Sequence, residues 1–140
     1  MEAAIRQIYV TDHDHRRLMQ VVPSLAVLKN SDKPHLVRLR RALEQAKIVA
    51  PEAIPPYIIT MNSRFRLKEL ETAHEAEYTL VFPGKADIKR GMISILAPAG
   101  ASLIGARELE TVLVHTPAGE KQFEVGSITY QPEAAEEYHL

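Results

Sequence analysis

Six histidines, a scatter of carboxylates and no cysteine are the groups from which this chain could build chemistry. His13 and His15 stand two apart, which on a helix sends their rings to divergent faces, so they cannot close on one metal there. His35, His74, His115 and His139 lie in separate segments without ligand spacing. They read as surface histidines, and no metal or cofactor is expected. The lack of cysteine removes disulfides, thiolate sites and thiol nucleophiles, and fits a reducing cytoplasm. Ser63 follows Asn62 with no base nearby in sequence and reads as a turn serine rather than a nucleophile. Glu69 and Glu71 fall at a strand end and Glu133 to Glu137 in a polar tail. A solvated surface accounts for both runs better than the shifted carboxylate pair that acid–base catalysis requires. No phosphate loop, dinucleotide fingerprint or nucleophile elbow is present, and Gly100 and Gly105 read as turn and helix-end positions.

Charge is more suggestive than any catalytic pattern. Between Lys29 and Lys47 six cations (Lys29, Lys33, Arg38, Arg40, Arg41, Lys47) face only Asp32 and Glu44, a local net of +4. Arg40 and Arg41 are placed outward, flanking an apolar seam. Such a helix could meet an acidic protein surface or phosphates, or simply be a solvated face. The whole chain carries −1, so no global field draws it onto nucleic acid.

At 140 residues, 46% hydrophobic and 25% charged, the chain suits one ordinary domain or a small core with an appendage. No apolar run approaches the ~20 residues of a membrane helix, and the start does not resemble a secretory signal. A soluble cytoplasmic protein is expected.

The elements that must carry these groups fall into two parts. Thr11 with Asp14 three residues on marks a helix start. Leu18, Val21, Leu25 and Leu28 then form an apolar seam, interrupted by Pro23, which predicts a kink or break near Val22. Asn30 to Pro34 is a turn in which Ser31 or Asp32 can cap the next helix. Leu36, Leu39, Leu43 and Ala46 repeat the seam, so the helices should pair as a short antiparallel, coiled-coil-like hairpin with an arm of at most roughly 27 Å. Residues 1–50 are assigned to this hairpin. Pro51 to Pro56 is a stiff connector, and residues 51–140 read as a β-rich domain. Tyr57 to Met61 looks like a buried strand. Phe65 and Leu67 alternate with cations, and Tyr78, Leu80 and Phe82 alternate up to Pro83-Gly84. Ile93 and Ile95, then Val112 and Val114, continue the pattern, and Pro117-Ala-Gly119 turns into a last strand with a bulge at Gly126. Ala99 to Ile104 predicts one helical turn. The fold class is α+β, with about six strands in an antiparallel sheet.

Glu77-Tyr-Thr-Leu-Val-Phe-Pro83, Ile93-Ser-Ile95, Pro98, Ser102-Leu-Ile-Gly105, Thr116-Pro-Ala-Gly119 and Phe123-Glu-Val125 occur in an order that resembles the C-terminal, FKBP-like domain of the bacterial Gre transcript-cleavage factors. Ile59-Thr-Met-Asn-Ser-Arg64, Tyr130-Gln-Pro-Glu-Ala-Ala135 and Tyr138-His-Leu140 are similar to the related Rnk family, the nucleoside diphosphate kinase regulators. Two departures stand out. Leu109-Glu110 occupy a corner where Gre proteins usually carry Gly-Asp. The hairpin end, Lys29-Asn-Ser-Asp-Lys-Pro34, holds one carboxylate between lysines where Gre chemistry uses paired carboxylates to help hold a second Mg²⁺.

The resemblance implies a non-enzymatic transcription elongation regulator that docks on RNA polymerase near the secondary channel. It would compete with Gre factors without stimulating cleavage, and would meet nucleic acid only through the transcription complex. By that resemblance the docking contact falls on Pro98, Ala99, Gly100, Ala101 and Ser102, with Asn30, Ser31 and Asp32 at the channel mouth. The competing readings are a residual cleavage factor acting through Asp32, a prolyl isomerase of FKBP type, and an interaction module for another partner, as a homo-oligomer through exposed seam residues or strand edges. The isomerase reading is disfavoured because only three Phe and no Trp are available, all three Phe being placed in the core by alternation.

Overall fold

Thr11 starts the first helix as its sequence demands: its hydroxyl accepts the Asp14 N–H at 3.1 Å, and helix α1 runs Asp12–Val21. The computed structural model describes residues 7–116 and 118–140. Val22 ahead of Pro23 is extended (φ −85°, ψ 123°), as a residue preceding proline prefers, so α1 stops instead of kinking. A one-turn helix α2, Leu25–Leu28, follows with Ser24 as its cap. Helix α3 spans Pro34–Glu44 with Lys33 at the cap position and no side-chain cap bond. Ser31 and Asp32 therefore do not cap it as expected; the Ser31 hydroxyl accepts from the Lys33 N–H at 3.3 Å and closes its own turn. The break also resets the helical phase, so Val21 is left 37% exposed while Val22 and Leu28 are buried beside Leu18, Leu36, Leu39 and Leu43. Arg40 does not point outward: half-buried, it donates to the Met19 and Val22 carbonyls at 3.3 and 3.0 Å and pairs with Glu44. With the His15 ring 3.0 Å from the Leu43 carbonyl, these bonds set α1 and α3 antiparallel.

One element escaped the sequence pattern. Strands β1 (Tyr9–Thr11) and β2 (Lys47–Val49) pair in parallel, Tyr9 opposite Lys47 and Thr11 opposite Val49. A parallel pair needs a crossover connection, and α1 to α3 supply it. Three residues per strand are too few for alternation to register.

The main sheet holds β3 (Arg64–Glu69), β4 (Glu75–Val81), β5 (Met92–Ser94), β6 (Thr111–Thr116) and β7 (Gly119–Tyr130), in the order β5-β4-β3-β7-β6. All neighbours are antiparallel except β4 and β5, which run parallel. The expectation of a purely antiparallel sheet is corrected by the two 3₁₀ turns at Pro83–Lys85 and Ile88–Arg90, which return the chain to the start of the edge. Tyr57 to Met61 is no strand. Ile58, Ile59 and Met61 are fully buried, but the run meets residues 105–107 through an Ile58–Arg107 bridge and bonds between Ile59, Ala106 and Gly105. The Gly126 bulge is present: Phe65 opposes Ile128 while Leu67 opposes Val125, leaving an extra residue on β7. Pro117, in the expected turn, lies outside the described residues. Leu109 sits at φ 70° and is 78% exposed, so the corner adopts a left-handed conformation that a glycine would take without steric cost. Helix α4, Pro98–Leu103, packs on β6 and on α3. One apolar cluster joins Leu18, Leu36 and Leu43 of the helices to Phe65, Leu80, Leu103 and Val125 of the body.

A polar joint fixes the helices on that body. The Asp14 side chain, 1% exposed, accepts the Met61 N–H at 3.1 Å and an Arg17 Nη2–H at 2.6 Å. The Thr60 hydroxyl donates to Glu133 at 2.7 Å and lies 2.8 Å from the Ser63 hydroxyl, which also accepts the Thr60 N–H. Gln131 reaches the Pro55 and Ile58 carbonyls, both at 2.8 Å. The tail is thus partly an internal brace rather than a wholly solvated run. Burial pushes both the Asp14 and Glu133 carboxyls above their ordinary range, against the lowering influence of Arg17 and Met61 on Asp14 and of Thr60 on Glu133. A raised folded-state value means the folded protein holds the proton more tightly, so this contribution to stability is lost as pH rises. Asp14→Asn removes one such titration. In urea unfolding across a pH series, the stability of wild type relative to Asp14→Asn should rise as pH falls from neutrality toward the ordinary aspartate value of 3.8.

Candidate functional site

The hairpin end and the α4 corner, 66 positions apart from Asp32 to Pro98, meet across one small cleft. Asn30, Ser31 and Asp32 are all exposed in the turn between α2 and α3, with the Ser31 N–H bonded to the Leu28 carbonyl at 3.0 Å. Of these three only Asp32 lines the cleft, about 200 Å³ in volume, together with Pro34, His35, Arg38, Pro98 and His115. The His35 ring lies 3.0 Å from the Leu96 carbonyl, tying α3 to the approach of α4. The carboxylate at the turn therefore sits beside the body and does not project on an arm.

The five corner residues have unequal roles. Pro98 occupies the first turn of α4, where its missing N–H is harmless. Gly100 is buried inside the helix, and a Cβ built there would stand 2.0 Å from the Ser94 carbonyl oxygen. It is a packing glycine, not the turn position expected from the sequence. The Ser102 hydroxyl donates to the Pro98 carbonyl at 3.0 Å, and Ala101 is half-buried. Pro98 and Ala99 alone open onto a second hollow, a groove of about 280 Å³ whose walls include Leu67, Tyr78, Ile88 and Phe123. Ile88 at its rim is 71% exposed. Phe65 is a core residue as alternation predicted, but Phe82 and Phe123 are only half-buried, and Phe123 faces this groove. Pro98 lines both hollows.

The cleft thus gathers Asp32, His35, Arg38 and His115 around Pro98. Ser63 is held by Thr60 and has no base against it. Among the described residues no group of three or more His, Asp or Glu is placed to hold a metal ion, and no helix is long and apolar enough to cross a membrane. Asp14, the fully buried carboxylate, and half-buried Glu133 lie in the joint, not in the cleft. Sequence reasoning named Asp32 and Pro98 but missed His115, which reaches the cleft from β6. Nothing in the local pattern of Val112 to Thr116 announces a neighbour on α3. Ile88 was missed too, although an isoleucine between Asp87 and Lys89 in a turn was a visible signal.

A family model described as transcription elongation factor GreA/GreB, C-terminal domain, matches residues 55–130, the span from the connector through β7. The chain belongs to the GreA/GreB family. It is 33% identical over 136 residues to the regulator of nucleoside diphosphate kinase of Escherichia coli (strain K12), covering 95% of this chain and 96% of that protein. It is also 33% identical over 93 residues to transcription elongation factor GreA of Thermodesulfovibrio yellowstonii, covering 66% of this chain and 59% of that protein. Among solved structures, a GreA/GreB elongation factor from Nitrosomonas europaea superposes with a TM-score of 0.70 at 32% identity, covering 89% of this chain and 99% of its own. Within this GreA/GreB-family chain, the matched region contains the groove and α4, while the helices that complete the cleft precede it.

The Gly100 contact gives a direct check on how the corner is held. Alanine would gain up to about 1 kcal/mol of helix propensity, but its methyl group collides with backbone, and overpacking of this kind costs about 1–3 kcal/mol or more. Urea unfolding of Gly100→Ala should show a net loss of about 2 kcal/mol, while Gly84→Ala, where nothing lies within 4 Å, should stay near wild type.

Proposed function

We propose that this protein binds RNA polymerase near its secondary channel, competes there with Gre cleavage factors and does not itself stimulate transcript cleavage. The observation that carries this reading is the position of Asp32. It is the only carboxylate in the turn between α2 and α3, and it lies in the cleft beside Pro98 and His115. Helices of 10 and 11 residues rise only roughly 15–17 Å. Assistance to a two-metal centre needs oxygen ligands delivered to the metal, and a lone carboxylate between Lys29 and Lys33 on so short an arm is poorly suited to it.

The body, read as FKBP-like, supplies the docking platform (residues 51–140), and the hairpin (residues 1–50) covers the channel mouth. The groove beside Ala99 serves binding rather than isomerisation. A polymerase partner places the protein in the cytoplasm, with nucleic acid met only through the transcription complex. The name of the Escherichia coli relative, a regulator of nucleoside diphosphate kinase, fits an indirect effect through expression.

A backtracked elongation complex tests all of this at once. The protein alone should release no short RNA, and added to a GreA reaction it should suppress cleavage with dose. Ala99→Glu, which puts charge into the apolar groove, should lose that suppression by about tenfold or more with its circular dichroism unchanged. Release of short RNA that disappears in Asp32→Asn would overturn the proposal.

A further inference from the structure

Beyond the groove at Ala99, exposed cations at the start of and along α3 form a surface without ion-pair partners among the described residues. Of the six cations between Lys29 and Lys47, Arg40 is folded back on α1 and Lys47 lies 5.6 Å from the Tyr9 ring. Lys29, Lys33, Arg38 and Arg41 are exposed, and among the described residues none of them forms an ion pair, the last three lying at the start of or on α3. Arg38 and Arg41, three apart, share one face of α3. Arg38 also lines the cleft, whose far wall is Pro98, and Pro98 is in turn a wall of the groove. An apolar slot and a cationic ridge thus adjoin across a single proline.

We propose that this composite surface recognises an acidic amphipathic segment of the partner protein, one apolar side chain entering the groove beside Ile88 while carboxylates lie along Lys33, Arg38 and Arg41. The proposal rests on the polymerase-docking reading and specifies what part of that partner is read. Charge complementarity argues for it, since Lys33, Arg38 and Arg41 gather positive charge with no ion pair among the described residues, in a chain of net charge −1 overall. A polynucleotide could meet the ridge, but the groove's aliphatic walls at Leu67, Ile88, Ile93 and Leu103 suit an apolar side chain better than a nucleobase. A protein segment with apolar and acidic residues side by side satisfies both. The Asp32 carboxylate at the cleft mouth and Glu120, 3.6 Å from the His115 ring, set the edge beyond which acidic residues are repelled.

The test is binding of labelled full-length protein to core RNA polymerase at low and high salt. Arg38→Glu/Arg41→Glu and, separately, Ile88→Asp should each weaken binding by about tenfold or more. The arginine variant should also flatten the salt dependence. All these side chains are exposed, so folding is preserved, and Arg16→Glu, exposed on α1, is the charge-matched control that should bind as wild type. Wild-type affinity in Arg38→Glu/Arg41→Glu or in Ile88→Asp would overturn the inference while leaving the docking reading standing. If wild type itself failed to bind polymerase, both would fall. Loss of single-stranded oligonucleotide binding in the arginine variant, with polymerase binding intact, would overturn the inference in favour of nucleic acid.

Discussion

The arrangement depends on a carboxylate that burial alone would reject. Taking an ionised aspartate out of water costs several kcal/mol unless charge and hydrogen bonds replace the lost solvation. Asp14 receives both, from the Arg17 guanidinium and the Met61 N–H. Those two partners lie on different parts of the chain, one on α1 itself and one in the buried run after the connector. The bond geometry therefore fixes where α1 sits on the body. Once α1 is placed, the antiparallel α3 and its ring bond from His35 to Leu96 follow, and with them the position of Asp32 against α4. A purely apolar contact between helix and sheet would hold the parts together but leave their register loose.

From this constraint follows a surface suited to recognition. The helices share the core of the sheet, so the short hairpin is a wall of the body rather than a lever. Its contribution is to bring cations to the rim of an apolar groove that the body already possesses. The most polar buried atoms have been spent on the joint, and those of the cleft are few and partly exposed. That division leaves the histidines and the Asp32 carboxylate of the cleft near the surface while Asp14 is committed to the joint.

Much of this was legible in the residues. Thr11 with Asp14, the Leu36, Leu39 and Leu43 spacing, Phe65 and Leu67, the Gly126 bulge and the helical turn expected from Ala99 each acted through local physics and formed close to where they were read. The failures were non-local. Lys47-Ile-Val49 pairs with Tyr9-Val-Thr11 across thirty-five intervening residues, and no pattern within three residues can disclose that. Val21 was misplaced because the break at Pro23 ended the helical phase that a continuous seam assumes, and Arg40 because it turns inward to the Met19 and Val22 carbonyls at the end of α1. Gly100 was read by its conformational freedom when the close approach of Ser94 was the reason for it. At the site, Asp32 and Pro98 were named separately. Their adjacency required the packing of α3 on α4, and His115 could enter only through that same packing.

The pairing of β1 with β2 carries one more consequence. It acts as a stem: the chain leaves the body at Thr11 and re-enters at Lys47 through hydrogen-bonded neighbours, so whatever lies between is a cassette clipped at its root. Closing such a loop costs only about 0.6 kcal/mol more each time its length doubles. The exposed turn between α2 and α3 can therefore lengthen at little closure cost, while Leu18, Leu36 and Leu43 keep the cassette's root packed on the platform. On one such platform, reach becomes a dial that evolution can turn without rebuilding the socket.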